Sequence, residues 1–227
     1  VAYDGMERFF PAEKIIKTGN PVRQSLLENT TTREDAIRSF SFTPSKKTIL
    51  LVGGSLGAKT INESVLQHLD LIRESDVQFI WQTGKYYYSG IQEQLSQAEA
   101  AHGALKNLKV MDFISDMGVA YQAADLVISR AGASSISEFC LIGKPVIMVP
   151  SPNVTEDHQT KNAMALVNKQ AALIVRDADA KEQLIALAIS TVADNDKLKS
   201  LSENVLKLAL PDSADIIARE VIKLAGH

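Results

Sequence analysis

The chain has 227 residues, 45% of them hydrophobic and 22% charged, with a formal net charge of −3. Such a composition is that of a globular protein with one large or two small domains, and it argues against nucleic-acid binding, which needs a clustered basic face. No apolar run reaches the roughly 18 residues of a membrane span, and the single cysteine, Cys140, excludes an internal disulfide.

Residues 1–23 have an odd composition for the start of a domain. Val1-Ala-Tyr3 reads as the tail of a strand from something upstream. The chain opens on Val1 without Met and without a signal-peptide pattern, which suggests a fragment. Phe9-Phe-Pro11 is an apolar knot ended by a helix breaker, and Ile15-Ile-Lys-Thr18 is expected to be a strand. Gly19-Asn-Pro-Val-Arg23 then forms a turn that exposes Arg23. A guanidinium forks onto phosphate oxygens, so Arg23 is a candidate anion ligand; an ordinary surface arginine is the alternative.

Residues 24–47 read as one or two helices and a loop. Thr48-Ile-Leu-Leu-Val52 is a buried strand that runs into Gly53-Gly-Ser-Leu-Gly-Ala58, and a helix from about Lys59 to Ile72 follows with Ile61, Val65, Leu69 and Ile72 on one face. Strand, glycine turn and helix is an arrangement that binds phosphate. The spacing is neither the dinucleotide fingerprint nor the P-loop, so the glycines alone carry little. Val77 to Gln82 is the second strand. A dinucleotide-binding unit wants an acidic residue at its end, where this chain has Gln82, Thr83 and Gly84, so NAD is disfavoured. Tyr86-Tyr-Tyr88 reads as a helix start with one ring packed and two partly exposed, followed by a polar helix carrying Ile91 and Leu95 and then an Ala-rich loop.

Leu108 to Met111 is the third strand, with Asp112-Phe-Ile-Ser-Asp-Met117 as its loop and Met117 to Ala124 as a helix. Leu126 to Ile128 is the fourth strand. Ser129-Arg-Ala-Gly-Ala-Ser-Ser135 makes a tight turn, and Ile136 to Ile142 a helix capped by Ser134 or Ser135. A helix that begins in small residues offers backbone N–H groups to an anion. Glu138 lies about one turn in, and the pairing suggests a nucleoside diphosphate, with amides for phosphates and a carboxylate for ribose hydroxyls; a plain strand–turn–helix with a capping carboxylate is the alternative. Cys140 falls on the apolar face of this helix, as a packed thiol does.

Lys144 to Val149 is a fifth strand, residues 151–159 a long polar loop at its carboxyl end, His158 to Asn168 a helix and Ala172 to Val175 a sixth strand. From Asp179 only helices follow: one with Leu184, Leu187, Ala188 and Thr191 at helical spacing, one from Lys197 to about Leu208, and a last one capped by Asp212 or Ser213. Strands alternating with helices imply an α/β fold, a mostly parallel sheet with helices on both faces. Residues 20–227 would form this domain, and residues 1–19 the end of a preceding domain and a linker.

Several motifs occur together in one order: Thr18-Gly-Asn-Pro-Val-Arg23, Gly53-Gly-Ser-Leu-Gly-Ala58, Phe113-Ile-Ser-Asp-Met117, Ala124-Asp-Leu-Val-Ile-Ser-Arg-Ala-Gly-Ala-Ser134 with Glu138, and His158-Gln-Thr-Lys-Asn-Ala163. This set resembles the MurG family of UDP-N-acetylglucosamine transferases, which complete lipid II in peptidoglycan synthesis. The resemblance covers essentially the whole chain but only the carboxyl-terminal half of the family's protein. It implies the GT-B fold, two Rossmann-like domains facing a cleft, with this chain as the domain that takes UDP-N-acetylglucosamine.

Residue by residue, the resemblance implies that Arg23 neutralises diphosphate charge and that Ser55 with nearby amides holds a phosphate oxygen. The backbone at Ile114 would read the uracil edge, with Phe113 packing the base. Ala133, Ser134 and Ser135 would open their helix onto the diphosphate. Glu138 would accept from the ribose hydroxyls, and His158 and Gln159 would contact the sugar, position 158 being Gln or His in the family. The family requires no cofactor and no active-site metal. Asp194-Asn-Asp196 fits the Asp-x-Asp pattern but lies between two late helices.

The resemblance further implies that the lipid I acceptor, the general base and the membrane patch belong to the amino-terminal half, which this sequence lacks. The fragment alone would then bind donor without catalysing transfer. The family's enzymes are expected in the cytoplasm, peripheral at the inner membrane. Another UDP-sugar GT-B enzyme, a UDP-N-acetylglucosamine 2-epimerase and a non-catalytic nucleotide-binding module are the competing readings.

Overall fold

The computed structural model describes residues 1–2, 6–153 and 157–226. In chain order, α1 (Gln24–Leu27) and α2 (Arg33–Ser39) precede β1 (Thr48–Val52). Then come α3 (Lys59–Gln67), α4 (Leu69–Glu74), β2 (Gln78–Gln82), α5 (Lys85–His102), β3 (Leu108–Met111), α6 (Met117–Ala123) and β4 (Leu126–Ser129). The second half adds α7 (Ala133–Ile142), β5 (Val146–Met148), α8 (His158–Val167), β6 (Leu173–Ile174), α9 (Ala180–Ala193), α10 (Asn195–Leu206) and α11 (Ser213–Leu224).

The six strands form one sheet in the order β3-β2-β1-β4-β5-β6, and every neighbouring pair is parallel. Strand side chains alternate between faces, and here both faces are covered. Ile49, Leu51, Phe79, Trp81, Leu126 and Ile128 point into one core with residues of α3, α4, α5 and α9. Leu50, Ile80, Val127, Val146 and Met148 point into the other, with residues of α2, α6, α7 and α8. That double burial explains the unbroken apolar runs. The order runs outward from β1 to β3, then restarts at β4 on the other side of β1. Their adjacency is the topological switch point, where a crevice opens at the carboxyl ends of the strands.

All four residues assigned to the inner face of residues 59–72 are buried, Ile61, Val65, Leu69 and Ile72. The helix itself is broken: His68 adopts φ −118° and ψ 30°, ending α3 and starting α4. The Ala-rich stretch expected as a loop is the last turns of α5, which continues to His102 and stops at Gly103; alanine is the strongest helix former. Residues 15–18 are not a strand. They are extended, but their backbone partner is Val1, whose amino group donates to Ile16 O at 2.7 Å and whose carbonyl accepts from Thr18 N at 2.9 Å. Tyr3 of the supposed strand tail, and residues 154–156 of the polar loop, lie outside the described residues. Asp194 of the Asp-x-Asp pattern is a helix cap, accepting from Lys197 N at 2.9 Å.

Candidate functional site

The crevice is built from the loops after β1 and β4, which the pairing of Val52 with Ser129 sets side by side. After β1 the chain makes a tight turn in which Gly57 N donates to Gly54 O at 2.9 Å. Gly57 has φ +81°, and a Cβ there would stand 2.0 Å from Thr83 O. Gly84, with φ +83°, abuts Leu56 in the same way. The glycines therefore let the loop lie directly on the end of β2. Gln82 completes the joint by donating to Gly54 O at 3.1 Å, which gives the residues at the end of β2 a structural role where a dinucleotide-binding protein would carry an acid. Ser55 and Leu56 are left exposed at the loop tip.

Beneath this loop Asn62 anchors α3. It accepts from Trp81 Nε1 at 2.9 Å and donates to Thr83 O at 2.9 Å, all within the core. The turn after β4 carries Arg130, whose side chain is mostly buried. One nitrogen of its guanidinium donates to Val149 O at 3.1 Å and Pro150 O at 3.2 Å, and it also meets the Asp177 carboxylate. The other oxygen of Asp177 accepts from Thr60 at the start of α3 at 2.9 Å. Arg130 thus ties together the ends of β4 and β5, the single turn after β6 and the helix that follows the glycine loop.

α7 begins three residues earlier than the sequence indicates. Gly132 is its N-cap and supplies no side-chain cap. Ser134 and Ser135 are therefore not caps but lie with Ala133 in the first turn, where an anion meets helix amides and the positive end of the helix dipole. Asn20 reaches across from the segment before α1 and donates to Ser137 Oγ at 3.2 Å.

Glu138 is buried on this helix. Arg23 holds its Oε1, through Nε at 3.1 Å and Nη2 at 3.0 Å. Tyr121 of α6 donates to its Oε2 at 2.9 Å. Burial pushes the Tyr121 phenol far above its ordinary range, and the neighbouring Glu138 charge pushes it further in the same direction, so it is a permanent donor. Sequence reasoning placed Arg23 and Glu138 at the same ligand; the structure brings them into direct contact. Arg23 remains about half exposed at 56%, against 8% for Glu138.

The remaining residues reach the same edge on separate loops. After β3, Ile114 is buried and Phe113 is 46% exposed, with Lys85 Nζ 5.7 Å from its ring centroid. His158 is exposed at the start of α8. Gln159 turns its amide oxygen inward to accept from Ser151 N at 2.9 Å, which steadies the loop after β5. Among the described residues no group of three or more His, Cys, Asp or Glu side chains is placed to hold a metal ion.

Sequence reasoning missed Tyr121, Arg130, Asn62 and Asp177 as parts of this edge, and placed Gln82 at the end of its strand without a role. Only Arg130 carries a local signal: a guanidinium directly after a buried strand must find carbonyl or carboxylate partners.

The doubly wound parallel sheet, with a glycine turn and the amino end of α7 at its switch point, defines a Rossmann-like domain of the GT-B glycosyltransferase class. Residues 48–217 match the model of the glycosyltransferase family 28 C-terminal domain, and the chain belongs to that family. A relative from Bacteroides fragilis is 65% identical over 99% of this chain, and one from Bacteroides thetaiotaomicron is also 65% identical over 99%. Both are named UDP-N-acetylglucosamine–N-acetylmuramyl-(pentapeptide) pyrophosphoryl-undecaprenol N-acetylglucosamine transferase. The chain spans 58% of the first relative's length and 60% of the second's. The crystal structure of Acinetobacter baumannii MurG superposes on 92% of this chain and 57% of its own, with a TM-score of 0.70 and 28% identity. A UDP-GlcNAc 2-epimerase from Neisseria meningitidis, bound to UDP-GlcNAc, covers 96% of this chain and 57% of its own at a TM-score of 0.63, but at 18% identity it shares the fold alone.

Proposed function

We propose that this chain is the donor-binding part of an inverting glycosyltransferase that moves N-acetylglucosamine from UDP-N-acetylglucosamine to undecaprenyl-pyrophosphoryl-N-acetylmuramyl-pentapeptide, turning lipid I into lipid II. The observation that carries the reading is the buried carboxylate of Glu138 on the helix whose amino end faces the switch-point crevice, in a chain 65% identical to transferases of that name. A ribose seated against Glu138 directs its diphosphate toward the first turn of α7 and the loop of Ser55. Arg23 is then within reach of both carboxylate and phosphate.

Inverting transfer is a displacement in which the acceptor hydroxyl attacks the anomeric carbon and UDP departs. The barrier falls as the developing pyrophosphate charge is stabilised. Amides of α7 and of residues 53–58, together with the Arg23 guanidinium, supply that stabilisation from fixed positions. His158 and Gln159 would hold the sugar. The general base and the acceptor site belong to the part of the relatives that this chain does not span, as does the peripheral contact with the cytoplasmic face of the membrane. Among the described residues no helix is long and apolar enough to cross one.

A thermal-shift panel of UDP-N-acetylglucosamine, UDP-glucose, NAD and ADP tests the reading. Specific binding stabilises by about 2.7 kcal/mol at a hundredfold excess over Kd, and UDP-N-acetylglucosamine should give the largest shift. A response to NAD alone overturns it. Full transferase activity of the isolated chain would refute the assignment of the base to the remainder of the protein.

A further inference from the structure

Glu138 has two anchors of different kinds. Arg23 is about half exposed and comes from the segment before α1, so an incoming phosphate can draw its guanidinium away. Tyr121 is 4% exposed, sits in the middle of α6, and packs edge-on against Phe139, with ring centroids 5.7 Å apart and planes at 82°. Its hydroxyl lies 2.9 Å from Oε2. An ionised carboxylate has about four acceptor positions on its two oxygens. Tyr121 occupies one on Oε2, and Arg23 approaches Oε1. A carboxylate held only by Arg23 would rotate as soon as a phosphate competed for that guanidinium.

We infer that Tyr121 is a positioning residue for nucleoside recognition: its buried hydroxyl fixes the rotation of the Glu138 carboxylate, and so sets the discrimination between ribonucleotides and analogues lacking the ribose hydroxyls. The inference rests on the reading that Glu138 accepts hydrogen bonds from the ribose. Tyr121 touches no ligand and acts only through Glu138. Phenylalanine in its place keeps the ring packing against Phe139 and removes only the donor.

The test is titration calorimetry of the chain with UDP and with its dideoxy analogue, which lacks both ribose hydroxyls. The unaltered chain should prefer UDP. Tyr121→Phe should weaken UDP binding about tenfold, the scale of a hydrogen bond to a charged group, and leave the dideoxy analogue unchanged, so that the preference shrinks. A merely structural role would weaken both ligands alike. In a Glu138→Ala background, Tyr121→Phe should have no further effect on UDP, since coupled residues are not additive. Replacing Tyr121 with 4-fluorophenylalanine, which fills the place of the hydroxyl without donating, should lose the same preference and covers the case in which Tyr121→Phe fails to fold. Equal losses for both ligands, or an unchanged preference in Tyr121→Phe, overturn the role of Tyr121 while leaving the ribose reading intact. An unaltered chain that does not bind UDP, or binds both ligands equally, overturns the ribose reading itself and the inference with it.

Discussion

Arg23 and Glu138 lie 115 residues apart in the chain and meet at 3.1 Å, Nε to Oε1. The contact joins the segment that leads into the domain to the helix at the switch point. Each residue, taken alone, has an ordinary explanation, a surface guanidinium or a capping carboxylate. Together they place one positive and one negative group at the mouth of the crevice.

Glu138→Ala should weaken UDP and UDP-N-acetylglucosamine to the same extent, by about tenfold or more, the range of a hydrogen bond to a charged group. Gln159→Ala should weaken UDP-N-acetylglucosamine and leave UDP unaffected. Calorimetric titration of both ligands against both variants decides it, and equal losses for the two ligands in Gln159→Ala would contradict a sugar contact.

Gly54 and Gly57 both have positive φ, yet they should respond differently to alanine. Nothing lies within 4 Å of a Cβ at Gly54, whereas one at Gly57 meets Thr83 O at 2.0 Å. Gly54→Ala should cost only the left-handed strain, about 1 kcal/mol. Gly57→Ala must displace the glycine loop from β2, and should cost more than about 3 kcal/mol. Urea unfolding of the two variants, side by side, gives the comparison.

Strands such as β1 were readable in the sequence because burial on both faces favours unbroken apolar runs, and β1 and β3 fall on the expected residues, although β3, at the sheet edge, carries the exposed Lys109. The start of α7 was not, because small residues such as Ala133 and Ser134 suit a turn and a first helical turn equally. The glycine loop was visible as a turn, while its partners were not: nothing near Gly57 in sequence indicates that Thr83 lies against it. The helix that carries Tyr121 was expected over Met117 to Ala124 and runs from Met117 to Ala123, but the partner of the Tyr121 hydroxyl is 17 residues away on an element whose rotation periodicity alone does not settle.

Asn62 should be a stability determinant independent of nucleotide. It satisfies Trp81 Nε1 and Thr83 O at once, in a buried site. Asn62→Ala strands both, and each unsatisfied buried group costs about 1–3 kcal/mol. The expected loss of roughly 2 kcal/mol or more would appear as a lower urea midpoint, and Trp81 fluorescence would report the same transition.

Lys144 gives the fold a pH signature. Burial pushes its ammonium down to about 8, below the usual lysine value of about 10.4. The unfolded chain therefore binds more protons than the folded one between these values, and stability contributed at this position rises as pH climbs from about 8 to about 10.4. The rise is at most about 3 kcal/mol, at 1.36 kcal/mol per unit. Lys144→Met should flatten that part of the stability–pH curve, and an unchanged slope in the variant would contradict the assignment.

The Arg130–Asp177–Thr60 chain bears on how such domains can be re-engineered. Segments at this edge look separable, since each hangs from its own strand, and exchanging one between homologous enzymes is the obvious way to alter donor preference. Yet a transplanted stretch after β5 or β6 that lacks carbonyls placed for Arg130, or a carboxylate at position 177, leaves a guanidinium stranded in the protein interior. Grafts here should succeed as matched sets and fail one at a time.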